Sequence, residues 1–104
     1  MAKTATQLGA GALSTVLTTT LYTAPSLTPA AIIKEIIVTN KNTTTARNVT
    51  IDVNSRQIMA AQPIPPNSSI IISLSTVMGS AQLIRGGQDT GTDCDYIISG
   101  IVYS

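Results

Sequence analysis

Three carboxylates, Asp89, Asp93 and Asp95, fall within one stretch that also holds Gly86, Gly87 and Gly91, and two of them flank the only cysteine, Cys94. Oxygen ligands crowded into a flexible loop are the raw material of a calcium site. Their spacing matches no calcium-loop pattern and no fourth carboxylate lies nearby in sequence. A solvated glycine-rich loop is therefore expected, and no metal is assigned. A reactive thiol needs an electropositive setting that lowers its pKa. Cys94 lies between two carboxylates, which act the other way, so an inert thiol is expected. The stretch Gly9-Ala10-Gly11-Ala12-Leu13-Ser14 begins like a dinucleotide fingerprint. It lacks the third glycine or alanine and neither follows a recognisable strand nor opens a helix, so no cofactor is expected.

Catalytic constellations are equally scarce. The 104 residues include no His, which removes the usual proton shuttle near neutral pH and the commonest zinc ligand. One cysteine can close neither an internal disulfide nor a metal cluster. Without His, only a Ser–Lys pair could activate a hydroxyl, and none of the lysines sits in a Ser-x-x-Lys motif. Glu35 and Asp52 could in principle serve glycoside chemistry. Each lies inside a strand-like pattern, however, and reads as an outward-facing charge. Six Lys and Arg spread along the chain cannot build a dense phosphate-binding patch, so no nucleic-acid partner is expected. The expectation is a protein without enzymatic activity.

The elements that would position these residues are β-strands. Sixteen Thr, 14 Ile and 6 Val make the chain rich in β-branched side chains, while Phe and Trp are absent. Turn-rich breaks separate short runs at 16–22, 32–40, 47–54, 58–60, 69–74, 81–85 and 95–103. Pro25 and Pro29 mark one connection, and Pro63, Pro65 and Pro66 mark another. Within 47–54, Val49, Ile51 and Val53 alternate with Asn48, Thr50, Asp52 and Asn54, so the first set faces a core and the second faces out. Ile70, Ile72 and Leu74 form a similar inward face. The pattern predicts an all-β fold, an antiparallel β-sandwich or jelly roll of about six to eight short strands over residues 14–104. Residues 1–13, mostly Ala, Gly and Thr, are expected to form an extended N-terminal arm lying on a neighbouring subunit.

Two runs are apolar on both faces, 32–39 and 96–103, whereas a sandwich strand normally buries one face. Charged residues make up only 11% of the chain, so loops able to cover a second apolar face are few. That face is therefore expected to pack on another subunit. Ile33, Ile37, Ile97, Ile101 and Tyr103 are assigned to this interface, with the opposite faces as the alternative. Homo-oligomerisation is expected to follow. The opening segment has one Lys and no long apolar run, so neither a secretory leader nor a membrane partner is expected.

The runs LTTTLYTAPSLTPAAIIKEIIVTNKNTTTARNVTIDV, PIPPNSSIIISL and DYIISGIVYS together resemble small accessory virion proteins of tailed bacteriophages. The resemblance covers about residues 14–104 and lapses in the loop from Gly86 to Cys94. It implies a β-sandwich module that decorates or cements the capsid, with the major capsid protein and copies of itself as partners. The alternative is an accessory role at the neck, tail or baseplate. It also implies a location in the virion after assembly in the host bacterial cytoplasm, which a disulfide-free chain suits. A further reading, a carbohydrate-binding module for receptor recognition, has only Tyr22, Tyr96 and Tyr103 as aromatic platforms.

Overall fold

The computed structural model describes residues 3–104. Eight strands follow one another: β1 (Lys3–Ala12), β2 (Thr20–Thr23), β3 (Ala31–Asn40), β4 (Arg47–Val53), β5 (Arg56–Ile64), β6 (Ser68–Met78), β7 (Leu83–Gln88) and β8 (Cys94–Tyr103). They form two four-stranded sheets ordered β1-β8-β3-β6 and β2-β7-β4-β5, with every neighbouring pair antiparallel. The chain changes sheet at each connection except the β4–β5 hairpin, which gives the strand order of an eight-stranded jelly roll. No helix occurs among the described residues.

Period-2 alternation builds the core. Ile33, Ile36 and Val38 of β3 and Ile98 of β8 meet Val49 and Ile51 of β4 and Ile84 of β7, all fully buried. The hairpin turn places Asn54 and Ser55 at φ 51° and 63°, the left-handed pair that matches strand twist in a two-residue turn. The inward set Val49, Ile51 and Val53 is buried as the alternation predicts. Ile70, Ile72 and Leu74 also pack against the core but stay half-buried, because β6 is a sheet edge.

Several expectations need correction. Residues 3–12 are not an arm on a neighbour: they form β1, hydrogen-bonded along the whole of β8. The boundary expected between 13 and 14 is therefore not a domain boundary. Met1 and Ala2 lie outside the described residues. The small side chains are the physical reason. Tyr96 faces the core beside Gly9 and Gly11, and a Cβ on Gly9 would stand 3.5 Å from its ring and 3.0 Å from the Leu21 carbonyl oxygen. The Gly-Ala-Gly run thus opens a seat for the ring. A register shift between Gln7 and Gly9 turns Leu8 inward.

Other boundaries move too. The run from Val16 shortens to β2, and Val16 and Leu17 lie exposed in the preceding loop. That loop rests on β7, where a Cβ on Gly87 would come within 2.7 Å of the Ser14 carbonyl oxygen. Pro63, expected in a connection, lies within β5, an edge strand whose open side needs no N–H. Thr50 and Asp52 do point away from the core, yet both are buried. The Ala61 N–H donates to Thr50 Oγ1 at 3.1 Å, and Arg85 pairs with Asp52.

Candidate functional site

The outer face of the β1-β8-β3-β6 sheet carries the feature most unlike an ordinary solvated surface. Register fixes its rows. Ala5 opposes Ile101, Ile101 opposes Ile32, and Ile32 opposes Val77. Farther along the strands, Ala10 opposes Ile97, Ile97 opposes Ile37, and Ile37 opposes Ile71. Each row runs across all four strands with the same chemistry: one alanine, then three branched aliphatics. Ile71, Val77 and Ile97 are 61%, 59% and 40% exposed. Between the rows lies a polar band of Gln7, Ser99, Glu35 and Ser73. Lys34 donates to Ser75 Oγ at 3.0 Å beside it.

The residues expected at an interface do not all reach this face. Ile37, Ile97 and Ile101 do. Tyr103 is half-buried at one end of β8, paired with Lys3. Ile33 does not: it is fully buried in the core. A register shift between Ile33 and Glu35 inserts one residue into β3, so strict alternation fails at Lys34. Ile33 faces in and Ile37 faces out, although the sequence spacing puts them together. The same bulge brings Ile32 to the outer face. Ile71 and Val77 were missed as well; the unbroken triplet Ile70-Ile71-Ile72 was the available signal, since alternation must turn its middle member outward.

The acidic loop has a different role from the one its spacing suggests. Arg47 Nε and Nη2 both donate to the Asp93 carboxylate at 3.0 Å, joined by Asn42 Nδ2 and Gln88 Nε2, each at 2.8 Å. Gln88, fully buried, also accepts from the Cys94 N–H at 3.0 Å. Arg47, then Asn42 and Gln88, hold the Asp93 carboxyl well below the usual carboxylate range. The hydrogen bond to Asp93 likewise raises Arg47 above its ordinary value. Burial, and then the Asp93 charge, push the Cys94 thiol up to about 11. Asp95 pairs with Lys41 at 3.1 Å, and Asp89 accepts from the backbone N–H groups of Asn48 and Thr90. The three carboxylates point at separate partners and lock the loop instead of converging on one point.

An open polar hollow of about 460 Å³ lies between the Asn54–Ser55 turn, Gln82 and Arg85. Two of its polar side chains are engaged within the protein: Arg85 Nε donates to Asp52 at 3.1 Å, and Gln82 Oε1 accepts from the Gly79 N–H at 2.9 Å. Among the described residues, no buried side-chain nitrogen or oxygen lacks a hydrogen-bond partner.

No family model matches the chain, and no curated protein matches it. Among solved structures it is similar in fold to a chain of the acidic stable capsid structure of Helicobacter pylori bacteriophage KHP30. The two share 7% identity at a TM-score of 0.56, over 99% of this chain and 94% of that one. A family 35 carbohydrate-binding module from Clostridium thermocellum aligns at TM-score 0.46 and 12% identity, over 100% of this chain and 99% of that one. The corresponding module from Paenibacillus barcinonensis aligns at 0.45 and 14%, over 97% and 99%. At 7% identity, the likeness to the capsid chain shows the β-sandwich fold alone.

Proposed function

We propose that this chain is a non-enzymatic structural protein of a bacteriophage virion that decorates or cements the capsid, with the major capsid protein as its partner. The observation that carries the reading is the outer face of the β1-β8-β3-β6 sheet. Two apolar rows lie partly exposed there, while Asp52, Asp93 and Asp95 are each paired with a cation. A surface of this kind offers contact area and no reacting group. The fold likeness to a chain of a phage capsid, along nearly the full length of both, supports the same reading. The resemblance of this chain's strand runs to those of accessory virion proteins points the same way. Sugar recognition has little aromatic platform to use: Tyr96 is buried against β1 and Tyr22 packs on the core, which leaves Tyr103, half-buried at the end of β8.

The test is the copy number of the protein in purified particles, measured by quantitative mass spectrometry. Hundreds of copies per particle are expected for a capsid decoration. A small complement, typical of one ring, would move the protein to the neck, tail or baseplate. Absence from particles, together with specific binding on a glycan array, would overturn the reading in favour of carbohydrate recognition.

A further inference from the structure

We propose that the protein forms a two-fold dimer with a second copy of itself, face to face through the outer surface of the β1-β8-β3-β6 sheet. This inference concerns the same face as the virion reading and names a second copy of the chain as its occupant; the dimer would then meet the capsid through its other surfaces, and the solution test below is read without particles. Its basis is the pattern of the face. The two apolar rows are chemically equivalent, and each spans all four strands in the same direction. An in-plane two-fold axis parallel to the strands and midway between β8 and β3 lays each row on its own counterpart in the other copy. Ile97 then stacks over Ile37 of the second copy, and Ile71 over Ala10. The same operation sets Glu35 over Ser99, so the two Glu35 carboxylates do not meet. An axis running across the strands would bring those like charges together.

Area points the same way. Ten-residue strands at about 3.4 Å per residue, four abreast at about 4.8 Å, give a face of about 34 Å by about 19 Å, or about 650 Å². Two copies would cover about 1,300 Å² in total, within the range of specific interfaces, which begins near 1,200 Å². Charge provides no rival attraction. Glu35 is the only acid in the middle of the face, and Lys34 is tied to Ser75 beside it. A strongly acidic or basic partner would find little to select it, whereas a second copy matches row for row. Aligned packing of two sheets about 10 Å apart is the ordinary way such faces are covered.

The experiment uses the purified chain alone, so its outcome is separate from that of particle binding. Sedimentation velocity from low micromolar to near-millimolar concentration is expected to show a monomer–dimer equilibrium. Ile71→Glu and Val77→Glu change exposed positions of an edge strand, and circular dichroism melts verify that each variant folds. Each is expected to weaken dimerisation at least tenfold. An equimolar mixture of Ile71→Cys and Ala10→Cys proteins is expected to cross-link under mild oxidation, with the buried Cys94 silent. A monomer at every concentration would overturn the proposal. So would a dimer indifferent to both charged variants, or one whose cysteine pair never links.

Discussion

Asn40 ends β3 with a fully buried side chain that ties the two sheets together. Its Nδ2 donates to the carbonyl oxygens of Thr45 at 2.9 Å and Ile64 at 3.0 Å, and its Oδ1 accepts from the Asn42 N–H at 3.0 Å. Asn40→Ala removes all three bonds and strands at least the buried Ile64 carbonyl. At about 1 kcal/mol net per bond the loss is about 3 kcal/mol. At roughly 2.1 cal/mol/K per residue, 104 residues unfold with an entropy of about 0.22 kcal/mol/K, so Tm should fall by about 14 °C. The neighbouring Thr39→Ala loses only an exposed hydroxyl contact with Ser69 and should stay within about 2 °C of the parent. Differential scanning calorimetry of the two variants measures both. An Asn40→Ala protein melting within about 4 °C of the parent would refute the claim that this side chain joins the sheets.

Two further outcomes follow from geometry. Asp93 has a folded pKa below its unfolded value, so the stability it contributes is complete above about pH 4 and is lost as pH falls through the folded value. The gap in Tm between the parent and Asp93→Asn should be widest at neutral pH and should close in acid; a gap that is constant with pH would refute this. In the β3–β8 ladder, a Cβ on Gly100 would overlap the Ile32 carbonyl oxygen. Gly100→Ala should therefore lower the urea midpoint by the equivalent of about 1–3 kcal/mol. An unchanged midpoint would show that β3 and β8 do not pair in this register.

What the sequence revealed depended on how strictly local pattern governed each element. Arg47–Val53 alternates without interruption, and its buried set was readable directly. The last strand was readable in extent, but with both faces apolar its sequence left open which side turns outward; the register with β3 places Ile97 and Ile101 there. The bulge at Lys34 was not readable. It inserts one residue into an otherwise regular alternation and leaves no mark in residue type, yet it sends Ile33 to the core and Ile32 to the surface. β1 was hidden for another reason. A Gly-Ala-Gly segment has no β-propensity of its own, and it becomes a strand because Tyr96, near the other end of the sequence, needs its ring accommodated. The Asp93 network depends in the same way on topology, since Arg47 and Asn42 reach the loop only after β3, β4 and β8 assemble. The apolar character of the outer face was visible in composition, but its full membership required the register.

The strand order also shapes the path by which this chain acquires its structure. β8 lies between β1 and β3, so the eighth strand is the one that joins the first to the rest of its sheet. Until Cys94–Tyr103 emerges from the ribosome, β1 has no partner and β3 has only β6. Nearly all pairing spans long sequence separations, which places folding among the slow, non-local cases. During that interval the Ile-rich edge of β3 that β8 will cover stands open to any unpaired strand nearby. In crowded synthesis, escape from aggregation then depends on how quickly β8 inserts.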